Sequence, residues 1–554
     1  MNGAEGMRWR WMLAGALLLM ALPLCAQVPS LDLVSPSDLR HGGTSTITLS
    51  GKNLQNIQSV WIGRTLAAKP VDGAEPGRQR LEVTVPEDVA PGIHPLRIAT
   101  AGGVSNPWLV VIDDLRIVGS GATNTSAAAA QTLAWPCAVH GTVDSLKSRH
   151  FKFAGKKGER VSIEVVAQRI NSSLDPVVRL FDSKDRELAY SDDEPGLSRD
   201  SRLAIVLPSD DTYRIELRDI LNEGGSKHRF LLRLGDFPEL SVPFPMVITG
   251  KVETEIQPLA KGSPSLPPIR ITPQTGVQAV PFAVRSGDGK GSAFGLVGVA
   301  AVADAVESEP NDIPEKANRI TVPGIVEGRF AQARDRDWFE FEVKKGQRLV
   351  FSTQTREVAS PSDVVMDFRD TKGNRIVPPK QEEDEISGIL TNTFNEAGIC
   401  RIQIRDMVGR GEPKEAYRLL IEPFQQVILR PDKAVLNVAA GDSISLVVKA
   451  DRRGYTGPIQ LELSGLPDGV QLSENVIAEK KDETTLKLSI PSGAVIGQLS
   501  RLQLVGKSGT PDSSVAIKTS SRELLKKSFP EMSVPPRALD GEILLNVLPA
   551  KTGK

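Results

Sequence analysis

Two stretches of this chain, about 187 residues apart, carry the same anchors in the same order. The first reads Gly141, then Phe151-Lys152-Phe153, then Lys157-Gly158. The second reads Gly328, then Phe339-Glu340-Phe341, then Lys345-Gly346. Apolar triplets follow in each copy: Tyr213, Ile215 and Leu217 with Phe230, Leu232 and Leu234, then Cys400, Ile402 and Ile404 with Tyr417, Leu419 and Ile421. A period of two puts alternate side chains on one face of an extended strand, so both copies predict half-buried antiparallel strands packed as a sandwich. Arg218-Asp219 and Arg405-Asp406 fall at the same offset, and it sets Tyr213 and Cys400 in equivalent inward positions.

With 554 residues the chain is too long for one core and calls for four to six domains of about 100 residues each. Its 48 glycines and 39 prolines suit short strands joined by tight turns better than long helices. The expected fold class is all-β: tandem antiparallel β-sandwiches, immunoglobulin-like and jelly-roll in kind. Strand alternation begins near Leu31, with Ile47 and Leu49 on one parity and Leu81, Val83 and Val85 on another strand, giving a first domain over 31–113. The alanine-rich stretch from Gly119 to Gln131 predicts a linker. The two repeat copies then occupy 131–237 and 307–425. Prolines break the pattern across 238–306, which leaves a degenerate module or an extended linker open there. Ile444, Leu446 and Val448, Ile459, Leu461 and Leu463, and Leu486, Leu488 and Ile490 mark a last sandwich over 428–550, with Ser520 to Asp540 as an insertion or mobile loop.

Arg8 and Arg10, the apolar run from Trp11 to Leu24 and small Ala26 predict a cleaved export signal over 1–26. The run is short of the roughly 20 residues a spanning helix needs. Leu22-Pro23-Leu24-Cys25 is similar to a lipoprotein signal, except that Leu24 stands where a small residue belongs. Export implies a secreted, periplasmic or cell-surface protein with no transmembrane segment after cleavage. A net charge of −1 gives no support to nucleic-acid binding. Beyond the signal only Cys137 and Cys400 remain, in different predicted domains, so no disulfide framework follows. Cys400 alternates with Ile402 and Ile404 and reads as a core residue.

The second copy opens with Glu307-Ser308-Glu309-Pro310-Asn311-Asp312 and continues through Asp335-Arg336-Asp337-Trp338-Phe339. Together with Gly328 and Lys345-Gly346, this resembles the bacterial pre-peptidase C-terminal (PPC) domain, a small β-sandwich appended to secreted enzymes. Val34-Ser35-Pro36, Gly42-Gly43, Thr46-Ile47-Thr48-Leu49-Ser50-Gly51 and Val60-Trp61-Ile62-Gly63 resemble an IPT/TIG immunoglobulin-like domain, and 238–306 reads as a degenerate TIG-like module. The module order is similar to that of exported multidomain proteins of environmental bacteria such as planctomycetes. In calcium-binding members of the PPC family these motif positions hold the ion. The resemblance therefore implies a structural Ca²⁺ on Glu307, Glu309, Asn311, Asp312, Asp335 and Asp337. Carboxylates and amide oxygens are the hard donors such an ion takes. The other reading of the same residues is a turn whose Asp and Asn cap backbone groups. In the first copy Ser145-Leu146-Lys147-Ser148-Arg149-His150 stands at the Asp pair, and a site is expected to be absent there.

No catalytic constellation is evident. His41, His94, His140, His150 and His228 are scattered, without a His-Glu-x-x-His pair, and no Gly-x-Ser-x-Gly elbow occurs. Gly287-Asp288-Gly289-Lys290-Gly291 lacks a strand-loop-helix setting and reads as a flexible turn. The sequence points to a secreted non-enzymatic β protein for adhesion, scaffolding or extracellular binding of proteins or polysaccharide. The alternative is an accessory or targeting subunit of a secreted peptidase or other hydrolase.

Overall fold

The computed structural model describes residues 27–550, apart from 76, 262–265, 275, 288, 301–303, 377–388, 413, 425–426, 498 and 509–514. The expected signal at 1–26 lies outside the described residues, as does Asp288 of the glycine-rich turn. The architecture is all-β, a tandem array of sandwich domains.

The first module runs from strand Ser30–Ser35 to strand Trp108–Asp113 in one continuous, folded-over ladder of nine strands. Strand Gly43–Lys52 pairs with Arg78–Val85, opposing Ile47 to Leu81. Alternation then turns Ile47, Leu49, Leu81 and Val83 inward against Val60, Ile98 and Val110.

The two repeat copies are sandwiches of two five-stranded sheets with the same strand order. In the first, one sheet orders Ile117–Gly119, Cys137–Thr142, Arg229–Gly235, Arg160–Val166 and Arg202–Val206. Its mate orders Gln131–Thr132, Arg149–Gly155, Asp211–Asp219, Pro176–Phe181 and Glu187–Ser191. The second repeats this from Ala305–Val306 and Asn318–Arg319 onward, closing on Leu390–Thr393 and Arg375–Ile376. Tyr213 pairs with Phe153 and Cys400 with Phe341, both wholly inward in their cores. Trp338 and Phe339, adjacent on one strand, are both buried.

The first sandwich starts earlier than its sequence boundary at 131. Ile117–Gly119 and Gln131–Thr132 each add a short parallel strand to one of its sheets, so the alanine-rich stretch between them is part of the domain and not a linker. Residues 238–306 hold two three-stranded sheets around Leu240, Ile248, Ile256, Phe282, Val284 and Val297. That small core replaces the extended linker left open by the prolines. The last module folds around Leu446, Val448, Ile459, Leu461, Leu486 and Leu488, with Ile444 half-buried at its margin.

Ser520 to Asp540 is a folded insertion. It carries the helix Arg522–Ser528, and its two ends are tied together by Ser521: its N–H donates to Asp540 Oδ1 at 2.7 Å, and its hydroxyl accepts the Gly541 N–H at 2.9 Å. Leu525, Phe529 and Leu539 pack on Leu109 and Val111 of the first module and on Ala138, Val166, Leu231 and Phe237 of the first sandwich.

The modules therefore do not lie as separate beads. Arg233, wholly buried, donates to Asp113 of the first module at 2.6 Å, to Glu164 at 3.0 Å, and to the Ser292 carbonyl of the middle module at 2.6 Å. The first and last modules also touch. Glu542 accepts from Arg97 at 3.5 Å and from Arg501 at 3.1 Å, and Asn437 Oδ1 accepts the Val104 N–H at 3.1 Å. Among the described residues no helix is long and apolar enough to cross a membrane.

Candidate metal centre in the second sandwich

Glu307 follows directly on the short parallel strand Ala305–Val306, and its N–H donates to the Glu327 carbonyl at 2.9 Å. This contact lays the acidic segment along strand Gly324–Arg329. Glu307 Oε1 accepts the Arg329 N–H at 2.5 Å, while Oε2 faces the Tyr417 hydroxyl at 3.4 Å. Tyr417 donates to Asp337 Oδ2 at 2.5 Å. Gly328 permits this approach: a Cβ there would lie 2.3 Å from the Tyr417 hydroxyl and 2.6 Å from Glu307 Oε2. The glycine of the sequence repeat is thus required by crowding.

Glu309 and Asn311 are joined through the Asn311 N–H, which donates to Glu309 Oε2 at 2.8 Å, and the Asn311 carbonyl accepts the Trp338 N–H at 3.0 Å. Oxygens of Glu307, Glu309 and Asp337 come within 4.8 Å of one another, a grouping that among the described residues occurs once. Asp335 accepts the Ala331 N–H at 2.6 Å and the Arg336 N–H at 3.0 Å. Asp312 lies beside the Asp335 carboxyl. All six residues singled out in the sequence fall in this one region. Three of them supply the close carboxylate group, Asn311 is buried beside it, and Asp335 and Asp312 lie at its flank.

As they stand, these groups are costly to bury. Asp337 and Asn311 are 0 % exposed, and Asp337 Oδ1 and both side-chain polar atoms of Asn311 lack a protein partner. A buried amide and carboxylate oxygen without a donor cost free energy that an ion would recover. Burial, reinforced by the neighbouring Glu307 charge, pushes Asp337 up to about 10. Burial and the Glu309 charge push Glu307 up to about 8. Asp335 is raised by burial and by Asp312, and the Tyr417 hydroxyl is raised by burial and the Asp337 charge. The donors are all hard oxygens, the set that suits Ca²⁺ over softer metals. Backbone capping accounts for the bonds of Asp335 and for half of Glu307. It leaves Asn311 and Asp337 unexplained.

Sequence reasoning missed Tyr417 as part of this centre, having assigned it to the core. Its signal was the change from Phe230 to Tyr417 at the same repeat position, in the copy that carries the acids. The acidic run at Asp192, Asp193 and Glu194 lies on a partly exposed loop, where Asp192 accepts the Tyr190 hydroxyl at 2.8 Å. Of the histidines, His94 is buried on the Ala90 carbonyl, and burial lowers it to about 4. His140 faces Asp38 at 3.3 Å, in a different module.

No family profile matches the chain, and no curated protein matches it. Among solved structures it is similar to the pre-peptidase C-terminal domain of a collagenase from Bacillus anthracis, at 12 % identity over 19 % of this chain and 93 % of that one, TM-score 0.16. It is similar to SGBP-B of the Bacteroides ovatus mixed-linkage glucan utilization locus, solved with a mixed-linkage heptasaccharide, at 13 % identity over 71 % and 73 %, TM-score 0.16. The four N-terminal immunoglobulin domains of Dscam1 isoform 1.9 match at 10 % identity over 87 % and 95 %, TM-score 0.16. Likeness at this level carries no argument about activity.

Proposed function

We propose that this chain is an exported, non-enzymatic binding or scaffolding protein whose second sandwich holds a structural Ca²⁺. The observation that carries the reading is the pair of orphaned, fully buried donors, Asn311 and Asp337, beside the carboxylates of Glu307 and Glu309. Those residues would hold the ion, with Asp335 and Asp312 as supports. The ion would supply the positive charge that lets the acids stay ionised.

The role is mechanical rather than chemical. Glu307 is bonded through its N–H to Glu327, whose carboxylate in turn accepts the Met246 and Val247 N–H groups of the middle module at 2.6 and 2.9 Å. Fixing Glu307 therefore fixes the strand that docks the middle module on the second sandwich. Extracellular proteins or polysaccharide remain the expected partners, since sandwich loops on a rigid frame suit contact.

Calorimetry of the full chain with Ca²⁺ and with chelator tests this. Ca²⁺ should raise the melting of the second sandwich by mass action, and Glu309→Gln should abolish the increment. Identical melting in the two conditions would refute the site and leave backbone capping as its explanation.

A further inference from the structure

The first sandwich solves the same electrostatic problem with a side chain of its own. Strand register fixes the correspondence. Arg149 pairs with Leu217 and Asp337 with Ile404, so they occupy one ladder position in the two copies. The Ser120 N–H donates to the His140 carbonyl as the Glu307 N–H does to Glu327, which sets Ser120 opposite Glu307. The Asn124 carbonyl accepts the His150 N–H at 2.8 Å, as the Asn311 carbonyl accepts that of Trp338. The asparagine is thus shared by both copies, whereas the flanking charges are not.

Around Arg149 the protein builds a shell made only of oxygen. Its Nε donates to the Thr142 carbonyl at 2.8 Å. Nη1 reaches the Gly121 and Ala122 carbonyls at 3.3 and 3.4 Å and Asn124 Oδ1 at 3.3 Å. Nη2 reaches Asp144 Oδ2 at 3.1 Å. The side chain is 8 % exposed. Asn124, whose counterpart Asn311 lacks any side-chain partner, is satisfied here by the guanidinium and by the carbonyl of His150.

We propose that Arg149 is the resident cation of the first sandwich, its guanidinium filling an oxygen cage at the position where the second sandwich is built to take an ion. A planar five-donor fork satisfies several carbonyls at once and stays charged at any physiological pH. One leading segment of the pair is then held by a cation that is part of the chain, and only the other responds to cation supply. The analogy with an ion rests on the reading of the second sandwich given above; the cage around Arg149 does not.

The two buried thiols, Cys137 in the first sandwich core and Cys400 in the second, report on each copy within the full chain. Thiol labelling resolved by peptide mass, with Ca²⁺ or with chelator, is the test. Arg149→Met should accelerate labelling of Cys137 by about tenfold or more in both conditions, since several charge-assisted bonds are lost, and leave Cys400 unchanged. Arg149→Lys, which keeps the charge but loses the fork, should fall between Met and wild type. Arg149→Asp should label fast in chelator and be slowed by Ca²⁺, because the cage then holds a further acid beside its five oxygen donors. Wild-type labelling rates in Arg149→Met would overturn the assignment, as would Arg149→Lys matching Arg149→Met. Cys400 of the wild type failing to respond to Ca²⁺ would instead remove the second-sandwich reading while leaving the Cys137 result to decide this one.

Discussion

Phe230 and Tyr417 face the same glycine position from the same strand, opposite Gly141 and Gly328 respectively. One hydroxyl separates them, and it donates to Asp337. Without an ion, the raised values of Glu307 and Asp337 mean that the folded protein holds protons the unfolded chain has released. Stability then falls as pH rises from the ordinary carboxylate range, about 4, through about 8. The expected result is a chelator-specific loss of melting temperature between pH 5 and pH 8 that Ca²⁺ removes, read by scanning calorimetry across that range. Asp337→Asn should have two opposite effects. In chelator at pH 8 it should stabilise the second sandwich, by up to about 1.4 kcal/mol for each pH unit of the window, and it should erase the response to Ca²⁺. A variant that melts lower in chelator and still responds to Ca²⁺ would contradict the site. The close grouping of Glu307, Glu309 and Asp337 was legible because these acids fall in two short acidic stretches of the sequence. Tyr417 was not, because strand alternation assigns any inward aromatic to the core.

Among the elements, the best read were those with long apolar alternation, such as Tyr213, Ile215 and Leu217 with their counterparts at Cys400, Ile402 and Ile404. Those misread were short or displaced. Ile117–Gly119 and Gln131–Thr132 are too brief to show a period, and their partners are parallel strands beyond a turn, so local pattern pointed to a linker. The helix Arg522–Ser528 carried a faint sign in the four-residue spacing of Leu525 and Phe529, but its packing surface lies on other modules, which no local window reveals. Phe529→Ala removes a fully buried ring from that surface and should cost about 3–5 kcal/mol. Hydrogen exchange should then quicken along Arg522–Ser528 and on strand Trp108–Asp113. Unchanged protection on the latter strand would mean the helix only rests on it.

At the scale of the whole molecule, the sequence conveyed a row of modules, whereas the structure ties them to one another. Arg233 is the centre of that tie, with its guanidinium 4.5 Å from the rings of Phe237 and Phe294 and its donors spent on three modules. Removing one partner from a buried ion cluster strands the others. Arg233→Ala should therefore destabilise by about 3–5 kcal/mol and split a shared denaturation transition into separate ones, followed by fluorescence and circular dichroism together. A single transition of unchanged midpoint would show that the modules fold independently of this residue.

The meeting of Arg97 and Arg501 on Glu542 has a mechanical consequence. It joins the first module to the last, so a tensile load applied across these two modules meets this contact before it reaches the sandwiches between them. This contact, buried at Arg97 and Glu542 and backed by the packing of Leu525 and Phe529 on the first module, rests on few bonds, whereas the strand ladders are held by many sheared in parallel. Under pull the molecule would first lengthen by parting its first and last modules and only later by losing folded structure, behaving as a latch set in parallel with a string of stiff blocks.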